Sequence, residues 1–229
     1  MSTLAAILTA SYEYPLYIKI IIALMGGVIP ILVWLWFWEH EDKYPEPKYL
    51  VILAFVAGML AVFAALFLEA MSCSYLLTSG ASCAYVPPTY IFILWAAIEE
   101  LLKFSFAYVT VLTRIENDEP IDSMMYMITV ALGFAALENA LFIFTPLSNN
   151  ESILNVIISN NQRFIGATLL HTIASGVIGI ALALSFYKSK GKRRLYVTIG
   201  VITAIVLHAF FNLSIMNLTG SQSILPFYG

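Results

Sequence analysis

Six apolar runs, each close to or longer than the roughly 20 residues needed to span a bilayer, dominate this chain of 229 residues. They cover residues 16–38, 50–68, 89–112, 123–145, 164–187 and 195–216. Inside hydrocarbon every backbone polar group must find its partner within the protein, which leaves helices or a closed barrel. The runs are continuous and do not alternate in ten-residue strands, so a barrel does not fit. The chain therefore reads as an all-α, polytopic membrane bundle of about six transmembrane helices. Short connections make residues 1–229 one integral membrane domain. Only 11% of residues are charged, where soluble domains carry about a quarter. The net charge of −3, with no basic face, argues against nucleic acid as a partner. The lipid bilayer is the implied surroundings.

Basic residues set the expected orientation. The segment 188–194 carries five of them, which places its side of the membrane in the cytoplasm. Six spans then put Lys43, Lys48 and Arg114 on the same side and both termini outside. Trp34, Trp36 and Trp38 fall near the inner end of the first run, where interfacial rings belong. Residues 1–14 lack a basic start, so no cleaved signal peptide is read there. Both cysteines, Cys73 and Cys83, fall in the outward segment 70–88, and an oxidising compartment would permit a disulfide between them. The apolar stretch 153–158 reads as a short interfacial helix.

Against this apolar background a few polar residues stand out. Glu99 and Glu100 lie mid-run, with Lys103 one turn later. A charge at a helix centre costs roughly 2.5–3.5 kcal/mol on insertion scales. Glu138, His171 and His208 recur inside three other runs. At about 1.5 Å per residue, all four positions lie roughly 10–15 Å from the outer helix ends. Each has a helper near it: Lys103 beside the glutamates, Asn139 after Glu138, Ser175 one turn after His171, Asn212 one turn after His208. Arg163, two turns before His171, is a site residue or an interfacial anchor. Singly, these groups could be buried ion pairs or interhelical glue. At matched depth on four helices they point to one functional site. Ser175 has no surrounding nucleophile motif and reads as a small packing residue.

The spacing Glu99-Glu100-x-x-Lys103, Phe134-x-x-x-Glu138-Asn139, His171-x-x-x-Ser175 and His208-x-x-x-Asn212 resembles the four motifs of the PrsW-type intramembrane proteases. These are related to the CAAX prenyl endopeptidases and bacteriocin-processing enzymes. Asp122, opening the fourth run, matches the same pattern. The resemblance implies an intramembrane endopeptidase acting on a membrane-anchored protein, such as an anti-sigma factor, near the outer end of its transmembrane segment. It implies Glu99 as the base that activates water, with Glu100 supporting it or acting as a ligand. His171 would orient the water, and His208 and Asn212 would donate to the oxyanion. No cofactor is certain. Glu138, His171 and His208 make a plausible zinc set, and the same residues could run metal-free as a glutamate protease. The rival readings are a non-catalytic membrane scaffold and an ion-coupled transporter. Against the transporter, no paired broken helices and no two-fold repeat are visible. Oligomeric state is not legible from the sequence.

Overall fold

The computed structural model describes residues 13–41, 46–76 and 88–219. They form six helices and, among the described residues, no strand. These are α1 (Leu16–Glu41), α2 (Lys48–Leu76), α3 (Thr89–Ala107), α4 (Pro120–Ser148), α5 (Ile153–Leu184) and α6 (Lys190–Thr219). A π-helical turn, Tyr108–Leu112, continues α3 and buries Val111 and Leu112 against Leu50, Ala54 and Tyr126. Five stretches are long and apolar enough to cross a membrane: Leu16–His40, Lys48–Leu76, Pro120–Ser148, Ile165–Leu184 and Lys190–Ser214. The exception is α3, which carries Glu99, Glu100 and Lys103 within its 19 residues. Large apolar side chains of α1, α2 and α6 face outward, among them Val33, Trp36, Phe63, Phe67, Val206 and Phe210, as contact with lipid requires. The protein is a multi-pass helical membrane protein.

The central element is α4, which packs on α1, α2, α3 and α5. It is apolar all round, as a helix with neighbours on several sides must be. α2, α3, α6, α5 and α4 follow one another in a ring, with α1 laid against the outside of α4. Small residues let α2 and α4 touch backbone to backbone. A Cβ added at Gly58 would sit 2.0 Å from the Val130 carbonyl oxygen, and one at Gly133 would sit 2.0 Å from that of Phe55. Gly133→Ala is therefore expected to cost about 1–3 kcal/mol through overpacking, seen as a lower unfolding temperature in micelles. Gly191→Ala, with nothing within 4 Å, should show no such loss. Equal melting of the two variants would contradict the close crossing.

Helix ends are closed by named contacts. Asp122 accepts the backbone N–H groups of Asp118 (3.0 Å) and Glu119 (2.6 Å), completing a capping box at the start of α4 behind Pro120. This explains an acidic residue at that position without assigning it chemistry. At the same end of the bundle the Tyr126 hydroxyl donates to Glu46, and Tyr49 donates to Glu116 at 2.6 Å. The Tyr49 bond holds the Glu116 carboxyl below its usual range. At the other end Lys19 of α1, itself buried, donates to Asn150 Oδ1 at 2.8 Å and reaches the Ser148 carbonyl at 3.5 Å. A cation there complements the C-terminal dipole of α4.

Two expected boundaries move. The second helix runs on to Leu76, beyond residue 68, so Cys73 sits on a helix and not in a loop. It packs against Ile91, Phe92 and Trp95 of α3. Its expected partner Cys83 lies outside the described residues. Residues 153–158 are no separate interfacial helix but the first turns of α5. Ser152 caps that start by accepting the N–H of Asn155, and no breaker interrupts the helix before Leu184.

Candidate functional site

The five ring helices enclose a cavity of about 80 Å³. A single water occupies about 10–15 Å³ on this measure, so several fit. Val62, Ala65, Leu66, Phe92, Trp95, Phe134 and Phe142 supply apolar walls. Into it face Glu69 of α2, Glu99 of α3, Glu138 of α4, His171 of α5, and His208 and Asn212 of α6. Glu99 lies ten residues from the start of α3, Glu138 ten from the end of α4, and His208 eleven from the end of α6. At about 1.5 Å per residue these three lie roughly 15 Å deep; His171 lies eighteen residues into α5, which starts at Ile153 and not near residue 164, and it joins them through Glu138 and Lys103.

Successive residues on a helix point about 100° apart, and that angle separates the two adjacent glutamates. Glu99 faces the cavity. Glu100 turns into the protein, is fully buried, and gathers three groups. Its Oε1 accepts from Lys103 Nζ at 2.6 Å and from His208 Nδ1 at 2.7 Å, and its Oε2 accepts from Ser175 Oγ at 3.3 Å. Lys103, also fully buried, donates in addition to His171 Nδ1 at 2.9 Å. The Phe134 ring lies 4.9 Å from the ammonium and 5.3 Å from the His171 ring. Phe134 thus supplies a cation–π contact and a wall for the imidazole.

Partners fix which ring nitrogens donate to them. A carboxylate only accepts and an ammonium only donates. His208 therefore carries a hydrogen on Nδ1, toward Glu100, and its Nε2 lies 3.8 Å from Glu99 Oε2. His171 accepts from Lys103 on Nδ1, 4.0 Å from the same Glu99 oxygen, and donates from Nε2 to Glu138 Oε2 at 2.8 Å. Both imidazoles turn one nitrogen toward Glu99 and rest the N–H of the other on a different carboxylate. Glu99 Oε2 is buried with no hydrogen-bond partner, a costly state unless a bound species completes it.

The arrangement differs from the sequence expectation at several residues. Glu138 is not the carboxylate that converges with the two histidines. The three ligand atoms within 4.8 Å of one another belong to Glu99, His171 and His208. Glu138 stands behind His171, on the nitrogen whose hydrogen it accepts. Asn139 faces away from the cavity and donates to Thr168 Oγ1 at 3.2 Å, on the α4–α5 seam. Ser175 supports Glu100. The side chain of Arg163 lies outside the described residues. Glu69 was missed, because the apolar run containing it was ended at residue 68, one position short of it. Extending that helix by a turn would have exposed a third carboxylate at the same end of the bundle. The remaining histidine, His40, donates to the Trp36 carbonyl on exposed α1, away from the cavity.

The donor set suits a divalent metal ion. Two imidazole nitrogens and one carboxylate are a familiar zinc combination. A carboxylate on the outer nitrogen of each ligating histidine is the usual second layer of such sites. The orphaned Glu99 oxygen agrees with it.

A family profile described as PrsW family intramembrane metalloprotease matches residues 46–228. The chain is similar to Protease PrsW of Geobacillus kaustophilus (strain HTA426), 29% identical over 191 residues that cover 82% of this chain and 76% of the relative. It is 28% identical to Protease PrsW of Clostridioides difficile (strain 630), covering 83% and 77%. It is 25% identical to Protease PrsW of Oceanobacillus iheyensis, covering 89% and 88%. No solved structure matches the chain.

Proposed function

This chain belongs to the PrsW family of intramembrane metalloproteases, and from that premise we propose that it hydrolyses a peptide bond at the outer end of a transmembrane segment, using water activated by Glu99. The supporting observation is Glu99 Oε2 itself, a buried carboxylate oxygen with no partner, facing a cavity between two imidazole nitrogens. In this reading all six helices span the cell membrane. The basic segment 188–194 lies in the cytoplasm, both termini lie outside, and the polar layer sits nearer the outer face. Membrane-anchored proteins are the substrates, with anti-sigma factors the expected class.

The chemistry follows from the positions. Glu99 takes the proton of a water held against it between the two imidazole rings. Lys103 and Glu138 hold the His171 ring from opposite sides, so its orientation does not change during turnover. Glu99 hands that proton to His208 Nε2, 3.8 Å away, and Glu100 behind Nδ1 stabilises the imidazolium that results. The protonated Nε2 and the Asn212 side-chain amide donate to the oxyanion as the hydroxide adds to the carbonyl, and Nε2 gives its proton to the leaving amine as the C–N bond breaks. When a divalent metal ion is bound, Glu99, His171 and His208 hold it, and it supplies Lewis-acid activation of water and carbonyl. The substrate enters laterally and unwinds locally, because a helical backbone shields its carbonyls.

Sequencing protein N-termini in host membranes, wild type against a chromosomal Glu99→Gln variant, tests this directly. New N-termini near the outer ends of spanning segments should appear with wild type alone. Identical N-termini under several stress conditions, with both proteins expressed, would refute the proposed activity.

A further inference from the structure

We propose that Lys103 is the resident cation of this site, and that its ammonium competes with a divalent metal ion for one lone pair, that of His171 Nδ1. The proposal rests on reading Glu99, His171 and His208 as the reactive centre. An imidazole nitrogen that accepts a hydrogen bond cannot at the same time bind a metal. His171 has only two nitrogens. Nε2 donates to Glu138 at 2.8 Å, and Nδ1 accepts from Lys103 at 2.9 Å. Nδ1 is also the nitrogen nearer Glu99, at 4.0 Å. The atom a metal would need is thus the atom the ammonium already holds.

Lys103 is built to stay there. It is fully buried, tied to Glu100 at 2.6 Å, and placed 4.9 Å from the centre of the Phe134 ring. Neither of these two contacts involves Glu99 or His208. A metal ion entering the triad must therefore move the ammonium off Nδ1, away from its place beside the Phe134 ring, and Glu100 can keep it once it has moved. Metal affinity at this centre is set by Lys103 as well as by the ligands. The state with Lys103 on His171 is the metal-poor one, and the two states exchange through a single hydrogen bond.

The probe is Co2+, titrated into chelator-stripped, full-length protein in detergent micelles and followed by its visible absorption, with Zn2+ as competitor. This readout requires no substrate and no turnover. Lys103→Met frees the lone pair. It leaves Glu100 bonded to His208 and Ser175, and should bind Co2+ about tenfold or more tightly than wild type. His171→Ala in the Lys103→Met background should remove the gain. Should Lys103→Met fail to fold, Phe134→Leu takes its place. It removes the ring beside the ammonium while leaving the three ligands themselves unchanged, and should raise affinity severalfold. Unchanged or weaker Co2+ binding in the folded variant overturns the proposal, as does a gain that survives His171→Ala. Cleavage that depends on Glu99 in the N-terminal experiment, together with no Co2+ binding in either form, would remove this inference and leave the glutamate-activated reaction standing.

Discussion

Glu99→Gln should slow peptide hydrolysis by roughly 10²–10⁴-fold, the usual contribution of a positioned general base, with no loss of thermal stability. The substitution preserves shape and removes the charge. Glu99 Oε2 makes no hydrogen bond, so little native interaction is sacrificed. It also relieves a carboxylate held near Glu138 and Glu69 in one cavity. Residues kept for chemistry are often a burden on the fold, and their removal is neutral or stabilising. The measurement pairs cleavage of a substrate segment in liposomes with unfolding temperature in micelles. Wild-type turnover by the variant would remove Glu99 from the role of base.

Its neighbour should behave in the opposite way. Glu100→Ala is expected to cost about 3–5 kcal/mol, the loss typical of breaking a buried ion pair from one side. Lys103 would keep only His171 and the Phe134 ring, and His208 Nδ1 and Ser175 Oγ would each lose their acceptor. The expected readout is a large fall in unfolding temperature, with activity lost as a consequence of structure. If Glu100→Ala melted like wild type, or Glu99→Gln melted as early as Glu100→Ala, the division of labour between the two glutamates would be wrong.

Much of this site was legible because intramembrane charges are expensive. Glu99, Glu138, His171 and His208 were conspicuous in apolar runs, and they line one cavity in the structure. The helical angle between adjacent residues showed that Glu99 and Glu100 could not share a face. What it could not supply was the rotation of each helix against its neighbours, and that decides partners. Asn139 looked like a companion of Glu138, yet α4 turns it toward Thr168. Glu138 looked like a ligand, yet it meets the outer nitrogen of His171, which leaves Glu99 as the converging carboxylate. Glu69 escaped because hydropathy marks where a run of apolar residues stops, not where a helix stops. α2 continues to Leu76. The continuity of α5 was hidden for the same reason, since polar residues 159–163 interrupt the apolar signal but not the helix.

The polar contacts of α3 also set a timetable for making the protein. Lys103 finds His171 only 68 residues later in the chain, and Glu100 finds His208 only 108 residues later. At about 5–20 residues per second, the wait for the last partner is roughly 5–20 s. Until then Glu99, Glu100 and Lys103 together penalise lipid exposure of α3 by roughly 8–10 kcal/mol. A nascent α3 is therefore expected to linger beside the insertion machinery, or to leave it only paired with α2, and to settle when α5 and α6 arrive. Biogenesis of this bundle is completed from the C-terminal end, with the polar layer as the last lock to close.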